Sequence, residues 1–88
     1  SNPELKALTL LAATYPNPTT DYIILKLNNS NLTSLYYTMY NIQGKTVSKG
    51  EVLDEETQIR MQHLGTGTYI LKVNQSSKEI KSFKIIKN

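Results

Sequence analysis

Short apolar runs separated by turn clusters set the rhythm of this 88-residue chain. Nowhere do apolar positions hold the i, i+3, i+4, i+7 spacing of an amphipathic helix across about 11 residues. They alternate with a period of two, which sends successive side chains to opposite faces of a strand. Tyr22–Asn28 shows this most clearly: Ile23, Leu25 and Leu27 share one face, and Tyr22, Ile24 and Lys26 share the other. The first face carries no charge and is assigned to the core.

Six more segments follow the same logic. A first strand is expected from Leu8 to Ala13, ahead of Tyr15-Pro-Asn-Pro18, where two prolines remove backbone donors and stop a ladder. Thr19 to Asp21 turns the chain into the strand described above. After a polar loop at Asn28–Asn31, a strand from Leu35 to Ile42 sets Leu35, Tyr37 and Met39 against Tyr36, Thr38 and Tyr40. Gln43-Gly44-Lys45 turns it into Thr46–Val52, which is polar apart from Val47 and Val52 and fits a sheet edge. Beyond a turn at Asp54-Glu55-Glu56, Thr57–Gln62 points Ile59 and Met61 inward. Thr68–Asn74 sets Tyr69, Leu71 and Val73 against Ile70 and Lys72. A hairpin at Gln75–Lys78 leads to Glu79–Lys87, with Phe83 and Ile85 on one face and Ile80, Ser82, Lys84 and Ile86 on the other. Seven short strands spaced roughly 8–12 residues apart predict an all-β sandwich. Two sheets face to face bury both apolar faces, which one seven-stranded sheet cannot do.

Composition narrows the chemistry. A chain this short buries only about 60% of its unfolded surface, so the core is thin. Cysteine is absent and His63 is the only histidine, which excludes disulfides, thiolate chemistry and a multi-histidine metal site. No apolar run approaches the ~18 residues that span a bilayer. Ser1-Asn2 reads as a cloning remnant and residues 1–7 as a linker, ahead of a domain at residues 8–88 cut from a longer protein.

Each candidate site has a plainer structural role. His63 stands at a strand end before a glycine turn, with no local motif supplying a nucleophile or a second base partner. Asp21, Glu51, Asp54, Glu55, Glu56 and Glu79 fall in turns or at strand ends, as solvated carboxylates do. Asp54-Glu55-Glu56 offers oxygen ligands, but its spacing fits no calcium loop. Gly65-Thr-Gly67 precedes a strand, whereas phosphate cradles precede a helix. Lys26, Lys72, Lys81, Lys84 and Lys87 are expected on outward positions among Tyr22, Tyr36 and Tyr40. A net charge of +3 is too small to favour nucleic acid, while surface tyrosines such as Tyr36 and Tyr40 suit stacking on sugar rings. Asn28, Asn31 and Asn74 fit the N-x-[ST] acceptor pattern. No pattern calls for a cofactor or a metal.

The order of motifs is more specific than any one of them. Tyr15-Pro-Asn-Pro-Thr-Thr-Asp21 is followed by Met39-Tyr-Asn-Ile-Gln-Gly-Lys-Thr-Val47, then by Ile59-Arg-Met-Gln-His-Leu64, Gly67-Thr-Tyr-Ile-Leu-Lys-Val73 and a final Ser82-Phe-Lys-Ile-Ile-Lys-Asn88. In this order and spacing the chain resembles the C-terminal sorting domains of the type IX (Por) secretion system of Bacteroidetes, over roughly Leu8 to Asn88. The resemblance implies a seven-stranded antiparallel Ig-like β-sandwich that serves as an address and not as a catalyst. It implies a cargo domain in cis, transit through the periplasm, and recognition by an outer-membrane translocon and its barrel-type shuttle. A sortase-like peptidase is then expected to cut near or before residues 1–8 and leave the cargo on the outer-membrane surface or secreted. The alternative is a carbohydrate-binding or structural accessory module of a secreted enzyme.

The family pattern maps onto Tyr15, Pro16, Asn17 and Pro18 at the opening, Gly44 and Lys45 at the hairpin, and Gly67 and Tyr69 in the penultimate strand. These eight are expected to be mostly structural. Phe83, Lys84, Ile85, Ile86 and Lys87 match the terminal strand, the part most associated with recognition. An edge strand alternating lysine with apolar residues suits strand addition by a receptor.

Overall fold

The computed structural model describes residues 12–27 and 34–88. Seven strands run through them: β1 (Ala12–Tyr15), β2 (Tyr22–Leu27), β3 (Leu35–Tyr40), β4 (Thr46–Glu51), β5 (Glu56–Arg60), β6 (Gly67–Gln75) and β7 (Lys78–Lys87). They form a three-stranded sheet in the order β1-β2-β5 and a four-stranded sheet in the order β4-β3-β6-β7. Every pairing between these strands is antiparallel. The expected all-β, seven-stranded Ig-like sandwich is the fold observed.

The core lies between the sheets. Ile23, Leu25 and Leu27 from β2 and Ile59 from β5 meet Leu35 and Met39 from β3, Leu71 and Val73 from β6, and Ile85 from β7. Each is buried, and each such side chain contributes about 1.5–3 kcal/mol through removal from water. Alternation decides which residues these are. One face of β2, and of β6 from Tyr69 to Val73, is apolar, so a one-residue slip would expose it.

β4 is the edge its polar sequence suggests. Tyr37 turns inward beside Gly50, and a Cβ at Gly50 would lie 2.9 Å from the Tyr37 ring. Glycine there leaves the room that lets an aromatic ring lie against an edge strand.

Several expectations shift. β1 (Ala12–Tyr15) runs on to Tyr15 instead of ending at Ala13, and Leu8–Leu11, where the strand was expected to begin, lie outside the described residues. Its inward positions, Ala12 and Thr14, are too small and mixed to mark a strand by pattern. β3 stops at Tyr40, not Ile42, because Asn41 opens the hairpin turn; Ile42 stands 79% exposed. Ile80, assigned outward by strict alternation, packs against the core. The register runs Val73–Lys81 and then Asn74–Glu79, so Ile80 is the extra residue of a β-bulge, which resets the facing of the strand. Lys87, placed on an outer face by the sequence reading, is buried, two positions beyond the core residue Ile85. Its apolar stem accounts for this, with Nζ donating to the Asn88 carbonyl at 3.2 Å.

Candidate functional site

Pro16 and Pro18 have no N–H to offer a neighbouring strand. Between them, the side-chain amide of Asn17 does what a backbone would. Its Nδ2 donates to the Lys84 carbonyl at 2.8 Å, and its Oδ1 accepts from the Ile86 N–H at 3.0 Å. Thr19 continues the pairing through its main chain: its N–H donates to the Ile86 carbonyl, and its carbonyl accepts from the Asn88 N–H, both at 2.8 Å. Thr19 and Lys87 form a parallel bridge, and Thr19 is buried with its hydroxyl donating to the Tyr22 carbonyl. Asn17 and Thr19 therefore act as a strap along the outward edge of β7, whose other edge is taken by β6.

Three of the four motif groups converge on this end of the molecule. Gly67 stands opposite Lys87, and Tyr69 opposite Ile85. Tyr69 is buried, and its hydroxyl donates to the Gly65 carbonyl at 2.7 Å. This tyrosine near the start of a strand, bonded back to the preceding turn, is the tyrosine corner of Ig-type sandwiches. Tyr15, Pro16 and Pro18 are exposed around the strap. The fourth group sits apart in the β3–β4 hairpin. There Asn41 Oδ1 accepts from the Gln43 and Lys45 N–H groups, and Gly44 adopts φ 84°. Both Gly44 and Lys45 are exposed.

The terminal strand divides by face. Ile85 is fully buried, Lys87 is buried, and Phe83 packs half-buried on the core. Lys84 is exposed, and Ile86 is half-buried on the outer side. Nearby on that side, Lys72 Nζ lies 5.4 Å from the Tyr40 ring centroid and 3.4 Å from Glu79 Oε1. Thr19 and Asn41 were not singled out from sequence. An Asn three residues before a hairpin glycine is a recognisable turn signal for Asn41, whereas nothing local marks Thr19.

The remaining candidates are scattered. His63 is exposed in the β5–β6 turn, and Asp21, Glu51, Asp54, Glu55, Glu56 and Glu79 are all exposed. Among the described residues, no three His, Asp or Glu side chains gather into a metal-holding group. Tyr36 is half-buried with its hydroxyl donating to the Ser76 carbonyl at 2.6 Å, and the half-buried Tyr40 ring lies beneath Lys72. Asn74 is half-buried in β6, its Oδ1 buried without a hydrogen-bond partner; Asn28 and Asn31 lie outside the described residues.

Fold and site together define a small Ig-like sandwich whose distinguishing feature is an opening motif fastened to its last strand. Residues 13–88 match the family of secretion system C-terminal sorting domains, and the chain belongs to that family, the sorting signals of type IX secretion. No curated protein matches the chain. As a member, the domain works with the type IX machinery in export to the cell surface or beyond.

Proposed function

We propose that the domain is a non-catalytic address carried at the C-terminal side of a larger secreted protein. The machinery engages it in the periplasm through an outer-membrane translocon and shuttle. A sortase-like peptidase then severs it near or before residues 1–8, and the cargo is attached to the surface or released. Residues 1–7 serve as the linker to the cargo, and residues 8–88 as the signal.

The observation that carries this reading is family membership across residues 13–88. The strap is consistent with it, since it joins the family's opening motif to its terminal strand. Recognition is assigned to the end of the domain built from Phe83–Lys87, with Phe83, Ile85 and Lys87 holding the strand in place and Lys84 and Ile86 presented outward.

The test is export of a Sec-targeted reporter fused ahead of residues 1–88 in a type IX-competent bacterium. The fusion is expected on the cell surface or in the medium, and its counterpart lacking residues 83–88 in the periplasm. Export no better than that of the bare reporter would overturn the reading. The N-terminal sequence of the released fragment locates the cut.

A further inference from the structure

Over Lys84–Asn88 the outward edge of β7 is already paired with Asn17 and Thr19. A receptor strand cannot add there while the strap is in place. What the folded domain presents instead is the outward face of the four-stranded sheet. Register aligns Tyr40, Ile70 and Lys84 in one row across β3, β6 and β7. Lys72 and Ile86, two residues from Ile70 and Lys84 respectively, share that face. A shallow groove of about 440 Å³ opens beside the row, floored by Tyr40 and Ile70 and walled by the exposed Ile42.

Charge is unevenly divided between the two outer faces. Lys49, beside outward Thr38, joins Lys72 and Lys84 on this one, with Lys45 at its rim; against these four stand Glu51, opposite Tyr36, and Glu79, which pairs with Lys72. On the other sheet, Lys26 stands opposite Glu56, and Arg60 near Asp21. An apolar floor with Lys72 on its wall and Lys84 beside it, on a face where lysines outnumber carboxylates, complements a hydrophobic side chain flanked by carboxylates.

We propose that this face docks an acidic, apolar-tipped segment of a protein of the secretion machinery. Ile42, Ile70, Ile86 and the Tyr40 ring receive the apolar side chain, and Lys72 and Lys84 meet its carboxylates. The inference rests on the sorting-signal reading and deepens it: the receptor reads a side-chain face and not a strand edge.

The reporter fusion is tested unaltered, with Ile42→Asp plus Lys84→Glu on this face, and with Lys26→Glu plus Gln58→Glu on the opposite one. All the altered positions are exposed, and thermal melting of each purified domain verifies folding. The first pair is expected to lower export by about tenfold or more, the second to leave it near the unaltered level. Equal export of all three overturns the docking face and leaves the sorting role standing. Equal loss from both folded pairs also overturns it, because the effect is then not face-specific. If the unaltered fusion is not exported, both readings fall. A photo-crosslinking amino acid in place of Ile42 identifies the occupant. Capture of a carboxylate-rich peptide from a secretion protein supports the proposal, whereas capture of a second copy of this chain or of lipopolysaccharide overturns it.

Discussion

Replacing Asn17 with Ala removes two hydrogen bonds to β7 while leaving the two main-chain bonds of Thr19 intact. Both lost bonds are exposed, so water takes over the Ile86 N–H and the Lys84 carbonyl. Each loss then falls toward the low end of the ~0.5–1.5 kcal/mol net value of a hydrogen bond, for a total of about 1–2 kcal/mol. In a domain of this size, that lowers Tm by about 5–10 °C. Hydrogen exchange is the sharper assay because it reads the site itself. The Ile86 amide is expected to exchange about tenfold faster per 1.4 kcal/mol of lost local stability, with the amides of Leu71 and Val73 changing only as far as global stability does. Asn17→Asp separates the two bonds: the carboxylate still accepts from Ile86 N–H but has nothing to donate to the Lys84 carbonyl. Unchanged Tm and unchanged Ile86 exchange in Asn17→Ala would refute the claim that the amide stands in for a strand.

Three further outcomes follow from the packing. Tyr69→Phe loses the bond to the Gly65 carbonyl and is expected to cost about 1 kcal/mol in urea unfolding, with an unchanged m-value. Gly50→Ala drives a methyl into the Tyr37 ring at 2.9 Å and is expected to destabilise by about 1–3 kcal/mol, a loss that Tyr37→Leu in the same chain should partly restore. Leu71→Ala opens a cavity between the sheets and is expected to cost about 2–5 kcal/mol, read by calorimetry as a large drop in Tm.

The legible parts of the chain were those under a strict two-residue period. β2 buries one face and so does the middle of β6, so Ile23, Leu25, Leu27, Tyr69, Leu71 and Val73 could be assigned from pattern alone. Ile80 could not, because a bulge depends on the partner strand and leaves no local mark. Lys87 misled for a different reason: its charge argued for an outer face, yet its position relative to Ile85 decided the outcome. The site was half legible. Asn17 was named as part of a motif, but its bonds reach Lys84 and Ile86, 67 and 69 residues away. A contact of that range is fixed by the assembled fold, not by neighbours in sequence. The same holds for the face shared by Tyr40, Ile70 and Lys84, which only strand order brings into one row.

The strap also makes closure of the sandwich depend on two segments almost seventy residues apart. Asn17 and Thr19 emerge from the ribosome early, but their acceptors and donors at Lys84, Ile86 and Asn88 are the last residues translated within this chain. Contacts of such long sequence separation close late. A chain broken off before Lys84 leaves Asn17 with nothing to hold, lacks Ile85 from the core, and bares the edge of β6 over Gly67–Ile70. A receptor that engages only the closed sandwich thereby rejects truncated chains, with no separate proofreading step.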